Sequence, residues 1–236
     1  YAEHDPHSRR IFDANDWRSY TITEDDIARS RRAYFANISY LDAKIAELLD
    51  VLDRTRQEAI VVFVSDHGDM LGERGLWFKM SFFEGSSRVP MMIAAPGIAP
   101  GLVDTPVSTI DLCPTLCDLA GVSMAEVMPW TDGESLLPLM QGGARQSPVA
   151  MEYAAEATVS PMIALRAGRW KYTNCAADPE QLFDLSDDPR EMRNLARGGE
   201  VEIVLQCLGT VGLQVDVHAA CIATVGDGNR AHGHLQ

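Results

Sequence analysis

The feature that most constrains the fold is the apolar run "AIVVFV" at residues 59–64, which follows a long amphipathic segment. A continuous run rich in β-branched side chains predicts a strand that is covered on both faces, as in a parallel sheet. The preceding segment begins with a capping-box pattern at Thr23 and Asp26, and its apolar residues recur every three or four positions to about Arg54. A helix, a short connection and a buried strand are typical of the α/β class.

The rest of the chain predicts three regions. Residues 1–148 are expected to hold a partial parallel or mixed sheet flanked by helices, with an extended surface segment at 1–22 and a second strand at 91–95. Residues 149–200 contain short alternating runs between turns, which predict a small antiparallel β subdomain. Residues 201–236 contain no aromatic residue and no lysine, and we interpret them as an atypical tail, disordered or derived from a shifted reading frame.

Net charge and cysteine content exclude several classes of function. The formal net charge is −14, so no basic surface is available to neutralise the phosphates of a nucleic acid. The five cysteines form no CxxC pair, which favours reduced thiols in a cytoplasmic protein. No apolar run reaches the length of a membrane span. The sequence therefore predicts a cytoplasmic protein that binds neither nucleic acid nor membrane.

Two ligand-type side chains directly follow the predicted strand, in the stretch "SDHGDMLGERGLWFK" at 65–79. Ligands of open α/β sheets bind beyond the carboxyl ends of the strands, where Asp66 and His67 lie. If the chain turns at Gly68, both side chains can reach one ion; this pair suits Mg, Ca or Mn, with Zn also possible. Lys79 offers a positive charge to an oxyanion. From the residues alone, a turn or cap stays open for the doublet, and a solvated surface position stays open for the lysine.

The amino-acid sequence of this region resembles that of a known enzyme family. The stretch "VVFVSDHGDMLGERGLWFKMSFFEGSSRVPMMIAAPG" resembles the sulfatase branch of the alkaline-phosphatase-like superfamily, and its sequence is most similar to that of the choline-sulfatases. The resemblance continues upstream through "DPHSRRIFDANDWRSY" and downstream through "EQLFDLSDDPREMRNLA", so it spans residues 5–196. An alkaline-phosphatase-like fold is the expectation that follows.

The resemblance implies a definite chemistry, the hydrolysis of choline sulfate to choline and sulfate. In this family the nucleophile is a formylglycine hydrate made from Cys or Ser in a C/S-x-P-x-R motif, and one divalent cation neutralises the sulfate oxygens. By this likeness Asp66 and His67 are expected to bind that cation, which would be Ca, Mg or Mn. His67 and Lys79 are the expected catalytic groups in this chain, with Lys79 binding the sulfate.

The choline end of such a substrate needs a carboxylate or an aromatic face. Glu156, in "EYAAEA", is the expected substrate-binding partner of the quaternary ammonium, and Glu152 is the alternative. Trp130 and Trp77 are further candidates for the walls of an aromatic cage. A solvent-facing carboxylate without a ligand is the other interpretation of Glu156.

The sequence departs from the family at the nucleophile. No Cys or Ser in it begins a C/S-x-P-x-R motif, so we interpret the chain as a later portion of the enzyme that is inactive alone. Formylglycine is then expected only in the amino-terminal half, and a homo-oligomer only for the full-length family. Two alternatives stay open: a phosphonate or phosphodiester hydrolase of the same superfamily, and a non-catalytic remnant or binding module.

Overall fold

The computed structural model describes residues 3–145 and 147–196, and the atypical tail predicted at 201–236 lies outside them. Within the described ranges, no helix combines the length and the apolar character that a membrane crossing needs. The chain divides into two units, which we call the central unit (Asn15–Arg145) and the meander unit (Tyr1–Ala14 with Gln146–Gln236).

Helices and strands of the described residues are numbered in chain order. The helices are α1 (Pro6–Ala14), α2 (Glu24–Thr55), α3 (Glu84–Ser87), α4 (Leu112–Ala120), α5 (Met124–Val127) and α6 (Leu137–Met140). The strands are β1 (Val61–Val64), β2 (Met70–Leu71), β3 (Trp77–Phe78), β4 (Met91–Ala94), β5 (Val149–Tyr153), β6 (Met162–Ala167), β7 (Trp170–Cys175) and β8 (Asp178–Asp184). Short 3₁₀ turns occur at Trp17–Ser19, Glu73–Gly75 and Thr109–Asp111.

Helix α2 confirms the predicted amphipathic helix, including its first turn. The Thr23 hydroxyl oxygen accepts a hydrogen bond from the Asp26 backbone N–H at 3.2 Å. The Thr23 backbone N–H in turn donates to the Asp26 carboxylate at 3.1 Å, which completes the capping box. No residue of α2 is fully buried: on its apolar face Ile27, Tyr34, Ile45 and Leu52 are half-buried, and the rest of the face is exposed among the described residues. The exposed apolar side chains include Phe35, Ile38, Leu41, Leu48 and Leu49.

The α/β class is confirmed; within it, the first strand pairs differently from the parallel arrangement that its apolar run favours. Strands β1 and β4 form at the predicted positions and pair antiparallel, with Val61 opposite Ala94 and Val64 opposite Met91. The segment between them leaves and re-enters the sheet at the same end, so it makes no crossover, which a parallel pair requires. Both strands are half-buried or exposed rather than covered on both faces, and every pair among the described strands is antiparallel.

The predicted antiparallel subdomain is confirmed. Strands β5 to β8 pair antiparallel in chain order, as a four-stranded meander. Its buried cluster consists of Leu165, Tyr172 and Leu182, against which Trp170 and Leu195 pack. This cluster lies on one face of the meander, while Lys171 and Phe183 are buried on the other face, so both faces are covered at the centre of the sheet.

The amino-terminal segment is helical, where an extended segment was predicted. Asp5 accepts hydrogen bonds from the Ser8 backbone N–H at 3.0 Å and from its hydroxyl at 2.6 Å, and Pro6 occupies the first helical position. An Asp followed by Pro is a recognised start signal, so the sequence did contain this information. Ile11 of α1 is only 1% exposed. Helix α1 belongs to the meander unit, whereas the predicted first region ran continuously over 1–148.

Candidate active site

The segment between β1 and β4 brings Asp66, His67 and Lys79 together. The Nε2 atom of His67 lies 3.6 Å from Oδ2 of Asp66, and Nζ of Lys79 lies 3.0 Å from the same Nε2. The Asp66 side chain is 85% exposed and Lys79 is exposed as well, so the charged ends face solvent and are accessible to a ligand. The geometry brings these predicted residues to one place; their roles stay predictions.

A tight bend after β1 sets the direction of the doublet. The Ser65 hydroxyl donates to the His67 carbonyl oxygen at 2.8 Å, and the His67 backbone N–H donates to the Asp66 carboxylate at 2.9 Å. The Gly68 N–H donates to the Ser86 carbonyl oxygen at 2.8 Å, which ties the bend to α3. In a continued strand the neighbours Asp66 and His67 would point to opposite faces, so the bend is what lets them converge.

We expect Gly68→Ala to destabilise this bend. A Cβ at position 68 would lie well under 3.0 Å from the Gly85 carbonyl oxygen, a backbone atom that cannot swing aside. Overpacking of this kind costs about 1–3 kcal/mol. Thermal unfolding of the variant would measure the loss. Gly101→Ala is the matched control, since a Cβ there meets nothing within 4 Å. Equal melting temperatures for both variants would contradict the expectation.

The hydrogen bonds of His67 leave Nε2 as its acceptor atom. Its Nδ1 lies 3.0 Å from the Gly68 carbonyl oxygen, which can only accept, so Nδ1 carries the proton. The lone pair on Nε2 then accepts from the Lys79 ammonium. This is the tautomer in which an imidazole can bind a cation through Nε2 while a backbone carbonyl fixes the ring.

Asp66 and His67 fit a divalent cation as two donors of a larger set. The His67 backbone N–H holds the pKa of the Asp66 carboxyl below its ordinary value, and the nearby Lys79 charge acts in the same direction. Asp66 is therefore ionised at neutral pH, as a metal ligand must be. Across residues 3–145 and 147–196, no group of three or more His, Cys, Asp or Glu could hold a metal. The remaining donors would have to come from outside the described part of the chain.

The hairpin of β2 and β3 returns the chain so that Lys79 reaches the doublet. Gly72 and Gly75 have φ of +93° and +70°, which only glycine adopts at low cost, and the Gly75 N–H donates to the Gly72 carbonyl oxygen at 3.1 Å. Two further residues with positive φ flank the lysine itself, Phe78 at +64° and Met80 at +82°. Each costs about 1–2 kcal/mol relative to right-handed backbone. Strain of this kind persists only where the surrounding structure enforces it, and it clusters at functional sites.

Arg31 holds this hairpin in place, and sequence reasoning missed it. Its guanidinium donates to the Leu71 carbonyl oxygen and to the Glu73 carboxylate, both at 2.9 Å. The Glu73 carboxylate also accepts from the Leu71 backbone N–H at 2.6 Å. No local pattern points to Arg31, because it lies on α2, 40 residues before Leu71. Helix α2 thus supports the loop that carries Lys79.

The candidates for ammonium binding are described unit by unit. Glu156 follows β5 in the meander unit, is exposed, and accepts a hydrogen bond from the Tyr153 hydroxyl at 3.0 Å. Its alternative, Glu152, is exposed on β5. Trp77 is half-buried on β3 of the central unit, and Trp130 is exposed in the same unit. Of the two glutamates, Glu156 is the one whose carboxylate has an aromatic hydrogen-bond partner among the described contacts, so it keeps priority as a prediction.

Two family models match the chain. The model described as "Sulfatase" matches residues 1–122, and the model described as "N-sulphoglucosamine sulphohydrolase, C-terminal" matches residues 72–211. Together the two matches include all of the residues discussed above.

Curated relatives include a choline-sulfatase from Rhizobium meliloti, which is 63% identical over 196 residues. That match covers 82% of this chain and 38% of the relative. An arylsulfatase K from Danio rerio is 38% identical over 187 residues, covering 74% of this chain and 35% of the relative. The chain thus spans well under half the length of the curated relatives it matches.

Solved structures with similar folds include two phosphonate monoester hydrolases. The one from Silicibacter pomeroyi has a TM-score of 0.73 and 26% identity, covering 89% of this chain and 47% of that protein. The one from Agrobacterium radiobacter has a TM-score of 0.67 and 26% identity, covering 80% of this chain and 43% of that protein.

Proposed function

Because the chain belongs to the sulfatase family, we propose that it supplies part of the active site of a sulfuric ester hydrolase that acts on choline sulfate. The convergence of Asp66, His67 and Lys79 at one exposed point is the observation that carries the proposal. The 63% identity to a choline-sulfatase, spread over 82% of the chain, supports the choice of substrate.

In this proposal each residue of the cluster has a distinct task. The Asp66 carboxylate and Nε2 of His67 hold one divalent cation, Ca, Mg or Mn. When bound, that cation withdraws charge from the sulfate oxygens. Lys79 binds a sulfate oxygen, and its interaction strengthens as negative charge develops there. The Gly68 carbonyl oxygen keeps the proton of His67 on Nδ1, so that the Nε2 lone pair can bind the cation in place of the Lys79 ammonium from which it accepts in this structure.

Glu156 is the proposed partner of the quaternary ammonium. An exposed carboxylate attracts a cationic head group, and Tyr153 adds an aromatic ring beside it.

A cytoplasmic location is also proposed, since Cys113, Cys117 and Cys175 form no disulfide among the described residues. A homo-oligomer is proposed only for the full-length proteins of the family.

A phosphonate monoester hydrolase is the second candidate function. The two structural neighbours with that activity in their names are 26% identical to this chain. Sulfate and phosphonate esters are both tetrahedral anions, so a cation and Lys79 could serve either one. The higher identity to the choline-sulfatase favours the sulfate ester.

Reconstitution with a nucleophile-bearing partner tests the proposed function. The 236 residues contain no C/S-x-P-x-R motif, so we expect no turnover from this chain alone. Co-expression with the amino-terminal part of the Rhizobium meliloti choline-sulfatase should give hydrolysis of choline sulfate. The exposed apolar face of α2 is the surface against which we expect that part to pack. A single-chain fusion of the same two parts repeats the assay where the separate chains fail to associate.

Three substrates separate the candidate functions: choline sulfate, a neutral aryl sulfate and a phenyl phosphonate monoester. A higher kcat/KM on choline sulfate than on the other two supports the proposal. A higher kcat/KM on the phosphonate monoester would instead support the second candidate function. Hydrolysis by the chain alone, or a fusion that folds and binds metal without hydrolysing any of the three, would contradict it.

A further inference from the structure

Helix α1 clamps the turn that carries Glu156. The carbonyl oxygen of Ala157, the residue after Glu156, accepts two hydrogen bonds from α1. One comes from Nδ1 of His7 at 3.2 Å and the other from Nε of Arg10 at 2.7 Å. Both donors lie about 150 positions earlier in the chain (separations of 150 and 147), so this contact is wholly tertiary.

Arg10 is itself held in place by β8. Its two terminal nitrogens donate to the two carboxylate oxygens of Asp178, a bidentate charge-assisted pair. The Asp178 side chain is only 9% exposed. The paired guanidinium holds the pKa of the Asp178 carboxyl below its ordinary value. The guanidinium therefore has a fixed orientation from which to bind the turn.

The turn needs such a clamp because Ala157 is strained. Its φ is +66°, in the left-handed region that a residue with a Cβ enters at a cost. Glu156 comes directly before this residue, and on its other side the Tyr153 hydroxyl donates to its carboxylate at 3.0 Å. Tyr153 lies edge-on to His7, with ring centroids 6.0 Å apart. The backbone after Glu156 and its side chain are therefore both held.

We propose that Arg10 and Asp178 are positioning residues for Glu156, and that they set a preference for esters with a cationic head group. The inference rests on the proposed function, because it takes Glu156 to be the ammonium partner. Without the clamp, Ala157 relaxes to right-handed backbone and the carboxylate leaves the Tyr153 ring. A carboxylate beside a fixed aromatic face selects a quaternary ammonium, whereas a mobile one on an exposed turn is screened by water.

Two measurements on the full 236-residue chain test this with Arg10→Met. The first is the titration of Tyr153, followed by NMR of tyrosines labelled at Cζ and assigned with Tyr153→Phe. Burial, together with the Glu156 carboxylate, raises the pKa of Tyr153 to about 12. The second compares the binding of choline with that of 3,3-dimethyl-1-butanol, its uncharged analogue. We expect the wild-type chain to prefer choline by about tenfold.

In Arg10→Met we expect the pKa of Tyr153 to fall towards the ordinary value of about 10, and the preference for choline to fall below about threefold. Arg190→Met is the matched control, since Arg190 is exposed in the same unit, and it should change neither quantity. The double variant Arg10→Met/Ala157→Gly should recover part of the raised Tyr153 pKa and part of the preference for choline, because glycine adopts φ of +66° without strain. Asp178→Asn, which retains the shape of the side chain, should give a smaller loss of the same kind.

The outcomes distinguish the clamp from the function it serves. An unchanged Tyr153 titration in a folded Arg10→Met chain would overturn the clamp. A shifted titration with the choline preference intact would overturn the link to specificity. If the wild-type chain itself does not prefer choline, the assignment of Glu156 in the proposed function fails, and this inference fails with it.

Discussion

Replacing Lys171 by methionine should lower the free energy of unfolding of the meander unit by about 3–5 kcal/mol. Lys171 on β7 is 1% exposed, and its ammonium lies 2.9 Å from the carboxylate of Glu191, which is 3% exposed. Both charged groups of the pair are therefore shielded from water. Lys171→Met removes this ammonium from the buried carboxylate, and breaking one side of a buried pair costs more than the pair contributes.

A double variant separates the loss of the pair from the cost of an unpaired charge. Lys171→Met with Glu191→Met removes both charges, and we expect most of the lost stability to return. Lys44→Met is the matched control, because Lys44 pairs with Glu47 on the exposed surface of α2, where such pairs contribute less than about 0.5 kcal/mol. Urea unfolding followed by hydrogen exchange of the β6 and β7 amides measures the meander unit by itself. If the double variant is as unstable as Lys171→Met, the loss of stability does not come from the buried charge that the single variant leaves behind.

Lys79→Met should reduce kcat/KM for choline sulfate by about 10²–10³-fold in the reconstituted enzyme. The Lys79 ammonium lies 3.0 Å from Nε2 of His67, and the residues on either side of Lys79 have positive φ, which the surrounding structure enforces. Methionine keeps the length of the side chain and removes the charge that binds the sulfate oxyanion. Because Lys79 is exposed, the variant should fold like the wild type.

Arg190→Met is the control for activity and should retain it in full, since Arg190 is exposed and lies outside α2. The reduction should appear with the neutral aryl sulfate as well, because Lys79 acts on the sulfate end of the substrate. If the kcat/KM of Lys79→Met stays within threefold of the wild-type value on both substrates, Lys79 is not part of the mechanism. A threefold change corresponds to about 0.7 kcal/mol of activation free energy.

Local patterns predicted the elements whose signals lie close together in the chain. Thr23 and Asp26 predicted the start of α2, because a capping box is complete within four residues. The β-branched run predicted β1, and the Asp66–His67 doublet was expected beyond its carboxyl end, where the structure has it. The meander was likewise readable from alternation and turns.

Pairings between distant segments were not predictable in this way. The apolar run that forms β1 has the same side-chain pattern whether its partner is parallel or antiparallel, so the run itself could not show that β1 pairs antiparallel with β4. Arg31 under the hairpin, the clamp of Arg10 and Asp178, and the Lys171–Glu191 pair each join residues far apart in sequence. No single-sequence pattern records such contacts.

Local sequence is enough to show where helices and strands can form, because capping, periodicity and turn chemistry act over a few residues. It also carried the motif that ties the chain to the sulfatase family. Only the tertiary structure decided that Lys79 meets His67 and that Glu156 sits on a turn held by α1. Those contacts depend on how the backbone folds back on itself, and strained residues such as Met80 and Ala157 are kept in place only by packing around them.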